Sequence, residues 1–258
     1  MELPSWWTQQ WGNQPYAIVD CIEGMKKMPE NSVDLIVTSP PYNSAQEYEK
    51  ELPIEEYAEL AKKWAVEMAR VLKHRVCLNV AFDTETKERK NVPIPLVQIW
   101  QNAFSHAGLQ YRDSIVWNKV NCSNDTAWGS WRSASAPHQR HIAEIILVYH
   151  KGDWKIGPGE NDITAEEFMR NTMNIWTMNC ATREGHPCPY PVELVERCVK
   201  LYSHKGAIVL DPFLGSGTTL LACRQTDRIG LGFECDKRYE DLIIKRAMTK
   251  TPNLEEFI

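Results

Sequence analysis

The stretch Leu210-Asp211-Pro212-Phe213-Leu214-Gly215-Ser216-Gly217-Thr218-Thr219 lies between a short apolar run, 207–210, and a helix-forming segment, 218–225. Its two glycines let the backbone pass close to a ligand without a Cβ in the way. The helix that follows offers unpaired N–H groups to an anionic group. Because the Gly-Lys-Ser/Thr ending of a phosphate-binding P-loop is missing, we expect a carboxylate ligand rather than a pyrophosphate.

An acidic residue ends the next predicted strand, 229–233, at Glu234. Its separation from Asp211 along the sequence matches the offset of about 20 residues at which an acid binds ribose hydroxyls in nucleotide-binding sheets. Strand, glycine loop, helix and acid together predict a site for a ligand that contains a ribose. The alternative is a tight turn in which a threonine caps the helix.

Short apolar strands alternate with helices along the rest of the chain. We predict further strands at 16–19, 33–37, 76–80, 111–117 and 142–149, and helices at 21–28, 54–73, 94–107, 191–202 and 236–248. This alternation is typical of an α/β fold with a doubly wound, mostly parallel sheet. Residues 151–189 are rich in glycine and proline and show little periodicity, so we interpret them as an insertion rather than core.

Composition excludes several classes of protein. The chain has 258 residues, 43% hydrophobic and 24% charged, which is ordinary for a globular protein and argues against disorder. It contains no run of about 18 apolar residues and no signal-like N-terminus, so we expect no membrane span and a cytoplasmic location. Eight scattered cysteines form no C-x-x-C pair, and we predict no metal site. The net charge of −5 confines nucleic-acid binding to a local basic face, such as 132–141.

A second motif, Thr38-Ser39-Pro40-Pro41-Tyr42, follows the predicted strand 33–37. Its prolines fix φ and remove two N–H donors, which leaves nearby carbonyls as acceptors. The serine hydroxyl adds an acceptor, and the tyrosine ring offers a face on which a planar base can stack. Acceptors beside a stacking ring suit an exocyclic amine. A plain proline turn at the end of a strand is the alternative.

Together the two motifs resemble those of the DNA amino-methyltransferases, the family that modifies cytosine N4 or adenine N6. Ser-Pro-Pro-Tyr is similar to the catalytic motif of that family, and Asp-Pro-Phe-Leu-Gly-Ser-Gly-Thr-Thr to its cofactor motif. Their order along the chain resembles the permuted β class. Segments 19–21, 69–73 and 186–191 extend the resemblance to about three quarters of the chain. Val19 departs from the pattern, because the family usually has glycine before the acid at Asp20.

The resemblance implies a permuted S-adenosylmethionine-dependent methyltransferase fold with a small insertion for target recognition. The domains would then be 1–150, the catalytic part of the core; 151–189, the candidate target-recognition region; and 190–258, the cofactor-binding part. The implied catalytic residues are Ser39, Pro40, Pro41 and Tyr42. The implied cofactor-binding residues are Asp20, Asp211, Pro212, Phe213, Gly215, Ser216, Gly217, Thr218 and Glu234.

Within the family, Ser-Pro-Pro-Tyr usually accompanies methylation of cytosine N4, so the resemblance predicts a cytosine-N4 DNA methyltransferase. Either serine or aspartate can accept an amino hydrogen, so adenine N6 stays an alternative target. A non-catalytic protein that binds cofactor and DNA is a second alternative. The expected partners are duplex DNA and a separate cognate restriction endonuclease, and the chain is expected to be a monomer or a homodimer.

Basic, amide and aromatic side chains are the ones that contact phosphates and bases. Segment 128–137 also resembles a loop often seen in the N4-type members of the family. The residues predicted to contact DNA are Asn43, Lys119, Trp131, Arg132, His138, Arg140 and Arg183. The insertion 151–189 is a second candidate region, although flexible loops without such a role also contain these residue types; besides Arg183 it carries Lys151, Trp154, Lys155, Arg170, Asn171 and Trp176.

Overall fold

The computed structural model describes residues 2–44, 51–85, 92–120, 129–181 and 190–248. The described residues form eight strands: β1 (Tyr16–Ile18), β2 (Val33–Thr38), β3 (Leu72–Val80), β4 (Gln110–Lys119), β5 (Ala143–His150), β6 (Ile175–Met178), β7 (Ile208–Asp211) and β8 (Ile229–Glu234). They build one sheet in the order β1-β8-β7-β2-β3-β5-β4-β6. Only β5 runs antiparallel to its neighbours, β3 and β4. The predicted mostly parallel α/β sheet is therefore confirmed.

Helices cover both faces of this sheet. They are α1 (Ser5–Trp11), α2 (Cys21–Lys26), α3 (Ile54–Val71), α4 (Leu96–His106), α5 (Ala165–Asn171), α6 (Val192–Tyr202), α7 (Thr218–Gln225) and α8 (Glu240–Met248), the last preceded by a 3₁₀ turn, Lys237–Tyr239. Alternation along β2 sends Ile36 towards the face covered by α1 to α4, and Leu35 and Val37 towards α6 and α7. No helix in the described ranges is both long and apolar enough to cross a membrane.

The predicted strands and helices are present, with ends that differ by a few residues, but the interpretation of 151–189 as a segment outside the core is wrong in two places. Strand β6 extends the sheet beside β4, and Trp176 on it is buried in the core. Asp162 pairs with the buried guanidinium of Arg228 at 2.5 Å. The apolar alternation of a four-residue strand is too short to predict, and the ion pair joins residues far apart in sequence.

The parallel strands end together at one edge of the sheet, which we name the carboxyl edge. Asp20 follows β1 there, Glu234 ends β8, Asp211 ends β7 and Ser39 follows β2. Because β5 is antiparallel, its first residues also lie at this edge, so Glu144 joins the group. In open α/β sheets, ligands bind beyond the carboxyl ends of the strands.

Candidate active site

A single buried carboxylate connects the two sequence motifs. Thr38 donates from Oγ1 to Asp211 Oδ1 at 2.6 Å, and Thr219 donates from Oγ1 to Oδ2 at 2.6 Å. The hydroxyl of Tyr190 also donates to Oδ2, at 2.8 Å, and the N–H of Phe213 to Oδ1, at 3.1 Å. Burial raises the pKa of Asp211, and these donors oppose that rise. Because its carboxylate faces into the protein, only the backbone around Asp211 is left to contact a ligand.

The side chains of the glycine loop are held by hydrogen bonds to α8. Gly215 and Gly217 have φ of +54° and +81°, which glycine adopts without strain. The side chains of Ser216 and Thr218 are buried and accept hydrogen bonds from Arg246 Nη1 at 2.7 and 2.6 Å. These two hydroxyls therefore face α8, and the loop backbone with the N-terminus of α7 is what a ligand would meet. Pro212 is also buried.

Two acids lie at the carboxyl ends of neighbouring strands. Pairing of β1 with β8 places Ile18 opposite Glu234. The carboxylate of Glu234 accepts the N–H groups of Gly215 and Asp236, both at 2.8 Å, and its burial raises its pKa. Asp20 is exposed, and its Oδ1 accepts the N–H of Ile22 at 2.9 Å as the cap of α2.

This cradle fits S-adenosylmethionine. A glycine loop at a helix N-terminus suits the carboxylate of the methionine part, and side-chain carboxylates suit ribose hydroxyls and an adenine amine. Phe213 is half-buried and stands edge-on to Trp64, with ring centroids 5.0 Å apart. Gly232 lies under this site, where there is no room for a side chain, a requirement that the sequence analysis did not predict. A Cβ there would lie 2.7 Å from Leu214 Cδ1 and 3.1 Å from the Asp211 carbonyl, at the base of the cradle.

The second motif forms a loop fixed by tyrosine hydroxyls. Ser39 Oγ lies 3.0 Å from the hydroxyl of Tyr42. The Pro41 carbonyl accepts a hydrogen bond of 2.6 Å from the hydroxyl of Tyr57. Pro40 is buried, yet within the described ranges its carbonyl receives no hydrogen bond. A carbonyl that no protein group donates to can accept from a ligand, and Pro40 directly follows Ser39 in the chain.

Three polar residues that the sequence analysis did not assign to the active site surround Tyr42. Its hydroxyl donates to Glu144 Oε2 at 3.1 Å. Asn79 donates from Nδ2 to the same carboxylate oxygen at 2.5 Å and to the Tyr42 hydroxyl at 3.3 Å. The ammonium of Lys119 forms an ion pair with Glu144 Oε1. One signal was present in the sequence, because Glu144 interrupts the apolar strand 142–149.

Two residues predicted to bind DNA have intramolecular partners in the structure. Lys119 is a predicted phosphate contact because it is a cation, and in the structure its side chain is only 16% exposed and is bound to Glu144. Asn43 is 1% exposed and has φ of +56°. Its amide donates to the Leu52 carbonyl at 2.8 Å and accepts the Leu52 N–H at 2.7 Å, which joins the end of the Ser-Pro-Pro-Tyr motif to the residues just before α3.

The loop 129–142 carries most of the remaining DNA-binding candidates and leads into β5 at the carboxyl edge. Trp131 is 68% exposed, and Arg132 and Arg140 are exposed as well. His138 lies 3.4 Å from Glu85, and His141 lies 3.5 Å from Asp83, so this loop contacts the residues that follow β3. Arg183 lies outside the described residues.

The candidates at 151–155 lie at the opposite edge of the sheet, where the parallel strands begin. Lys151 donates to the carbonyls of Ala69 and Leu72, at 2.7 and 3.1 Å. Trp154 stacks under the guanidinium of Arg75, 4.2 Å from its ring centroid. These residues are remote from both motifs.

Comparison with known proteins supports the geometric description. The model of the N6/N4 methyltransferase family, described as DNA methylase, matches residues 33–245. The type II methyltransferase M.MjaVI of Methanocaldococcus jannaschii is 41% identical over 156 residues, which cover 58% of this chain and 78% of that protein. M.ScaI of Streptomyces caespitosus, also a type II methyltransferase, is 29% identical over 262 residues, covering 91% and 81%.

Solved structures are similar over nearly the whole chain. TTHA0409 of Thermus thermophilus, in complex with S-adenosyl-L-methionine, has a TM-score of 0.75 and 26% identity, with 93% of this chain and 96% of that chain covered. The cytosine-N4-specific PvuII DNA methyltransferase has a TM-score of 0.72 and 20% identity, covering 94% and 88%. At that identity the likeness concerns the fold.

Proposed function

The chain belongs to the N6/N4 family of DNA methylases, amino-methyltransferases that use S-adenosylmethionine, and on this premise we propose that it methylates N4 of cytosine in duplex DNA. The observation that carries the proposal is the Ser39-Pro-Pro-Tyr42 loop next to the glycine loop. The 2.6 Å hydrogen bond from Thr38 to Asp211 holds the two loops together. Serine at the first position of this motif is typical of the members that act on cytosine N4.

The cradle at the ends of β1, β7 and β8 is the proposed cofactor site. Bound there, S-adenosylmethionine supplies a methyl group on a positively charged sulfur. The backbone at Gly215 and Gly217 holds the methionine part. Glu234 binds the ribose hydroxyls and Asp20 the adenine amine. Phe213 closes one side, while Ser216, Thr218 and the Asp211 carboxylate shape the loop from behind.

The target amine is hidden in the base stack of duplex DNA, so the base must be flipped out, at a cost of a few kcal/mol. Tyr42 stacks on the flipped ring. Ser39 Oγ and the Pro40 carbonyl accept the two amino hydrogens and thereby draw the nitrogen lone pair out of conjugation with the ring. Positioning supplies most of the acceleration, as for oriented reactants in general.

The loop 129–142 is the proposed DNA-contacting surface, through Trp131, Arg132 and Arg140. Within 151–189, we propose a target-recognition role only for the residues that follow β6. Strand β6 ends at the carboxyl edge, so the residues after it start on the same side of the sheet as the two motifs. The type II names of M.MjaVI and M.ScaI suggest a restriction–modification context. We therefore propose that a separate endonuclease cuts the sequence that this chain protects.

The test is mass spectrometry of nucleosides after mixed-sequence duplex DNA has been incubated with the protein and S-adenosylmethionine. N4-methyldeoxycytidine is the expected product. N6-methyldeoxyadenosine would move the target to adenine. No methylated nucleoside despite measured cofactor binding would contradict catalysis on this DNA and favour a non-catalytic binding protein.

Ser39→Ala tests the site itself. Loss of one acceptor in a closed site should lower kcat by roughly 10²-fold, by analogy with the loss of one oriented hydrogen-bond partner elsewhere, while the Kd for S-adenosylmethionine changes little. Ser105→Ala, an exposed serine on α4, is the matched control. Equal losses in kcat and cofactor affinity would contradict the assignment of Ser39 to the base.

A further inference from the structure

The carboxylate of Glu144 has hydrogen-bond donors on both oxygens. Lys119 holds Oε1, while Tyr42 and Asn79 donate to Oε2 at 3.1 and 2.5 Å. The side chain of Glu144 is only 13% exposed. Ammonium and amide nitrogens can only donate, so the carboxylate accepts from Lys119 and from Asn79. Glu144 is therefore a fixed hydrogen-bond acceptor at the side of the catalytic loop.

The carboxylate of Glu144 sets the direction of the hydrogen bonds around it. An ionised carboxylate only accepts, whereas a tyrosine hydroxyl has a single proton to donate. The proton of Tyr42 therefore goes to Glu144, which is a stronger acceptor than a neutral hydroxyl. Asn79 Nδ2 donates to the Tyr42 oxygen at 3.3 Å, which is consistent with the same direction.

The contact of 3.0 Å between Ser39 and Tyr42 could by itself have either hydroxyl as donor. Since the Tyr42 proton is committed to Glu144, Ser39 must be the donor. Its only proton then points at Tyr42, and its lone pairs are left for another donor. A serine without this constraint could instead donate its proton to the amine nitrogen and block the lone pair that must attack.

We propose that Glu144 is a positioning residue that acts through Tyr42 to make Ser39 Oγ a committed acceptor for the target amine. The inference rests on the proposed function, because it concerns the same amine. Lys119 supports the role by binding Oε1 of the carboxylate, so that Oε2 stays directed at Tyr42. The sequence motif Ser-Pro-Pro-Tyr is thus completed by residues of β3, β4 and β5, which a reading of the motif alone leaves out.

The experiment compares Glu144→Gln, Tyr42→Phe and the double variant with the wild type. Glutamine can donate as well as accept, and phenylalanine keeps the stacking ring but removes the hydroxyl. Each single change should lower kcat about tenfold, the effect of roughly one hydrogen bond, with the KM for S-adenosylmethionine within about twofold of wild type. The double variant should be no slower than the slower single variant, because both changes break one chain of bonds.

Glu167→Gln is the matched control, since Glu167 also pairs with a lysine, Lys200, at 2.7 Å but far from the motif. It should leave kcat unchanged. Multiplied losses in the double variant, an unchanged kcat in both single variants, or a parallel rise in the cofactor KM would overturn the inference. If Glu144→Gln fails to fold, Tyr42→Phe alone is used: a fall in kcat with an unchanged cofactor KM supports the inference, and an unchanged kcat overturns it. A wild-type protein that methylates no DNA would contradict the proposed function instead.

Discussion

Each edge of the sheet contains an ion pair, but the two pairs have different surroundings. At the opposite edge, Arg228 has a side chain with 0% exposure, and it donates to Asp162 at 2.5 Å and to the Ser203 carbonyl at 2.6 Å. At the carboxyl edge, the partner of Lys119 also binds Tyr42 of the catalytic loop. The first pair joins a loop to the core, while the second orients a reactive group. Loss of the first should therefore affect stability and loss of the second activity.

Arg228→Leu should have the largest effect. Removal of one partner from a buried pair leaves an uncompensated charge, here on Asp162, and costs about 3–5 kcal/mol. Thermal or urea unfolding measures the loss, and kcat per folded molecule should stay at the wild-type value. Lys205→Ala removes a neighbouring but more exposed pair and should change stability much less. A fall in the kcat of folded Arg228→Leu would contradict the claim that the opposite edge affects stability and not activity.

Asp211→Asn should have the second largest effect, because Asp211 joins the catalytic and cofactor halves of the carboxyl edge. Hydrogen bonds to charged groups are worth about 1.5–3 kcal/mol each, and an amide would turn an N–H towards hydroxyls that now donate. We expect a loss of about 2–3 kcal/mol in unfolding free energy and weaker binding of S-adenosylmethionine by calorimetry. Asp153→Asn, exposed at the opposite edge, is the control. Unchanged cofactor affinity would show that this carboxylate does not shape the loop.

The sequence predicted the sheet because its strands are apolar runs and its helices have apolar positions at helical spacing. It also located the glycine loop and the Ser-Pro-Pro-Tyr loop, whose joint presence resembles the family's two motifs. Both loops are local features, since each one follows directly from a strand that the pattern predicts.

The sequence did not predict the intramolecular partners of two polar side chains. Lys119 looked like a cation for phosphate, and its pairing with Glu144 depends on the register of β4 against β5. Asn43 is an amide of the kind that can contact a base, but in the structure it is bound to the backbone of Leu52. Hydrophobic periodicity and residue propensity in the sequence predict which face of the sheet a side chain lies on, but not which residue it contacts there.

Gly217→Ala should have a smaller effect on stability. A non-glycine residue at φ of +81° costs about 1–2 kcal/mol, and the added Cβ would lie 3.3 Å from Ile243 Cα. Unfolding free energy and cofactor affinity should both fall, because the loop must shift. Gly157→Ala at the opposite edge is the control, since a Cβ there meets nothing within 4 Å. Equal losses in both variants would contradict the role of the left-handed loop.

The smallest effect is expected from Arg132→Ala at the carboxyl edge, compared with Lys155→Ala at the opposite edge. Both side chains are exposed, so neither change should alter stability by more than about 0.5 kcal/mol. If Arg132 neutralises one phosphate, its loss raises the KM for DNA a few-fold and lowers the slope of log affinity against log salt by about 1. Lys155→Ala should leave both quantities unchanged. The same loss of slope in Lys155→Ala would mean that DNA also contacts the opposite edge, and the separation of a structural from a catalytic edge would then fail.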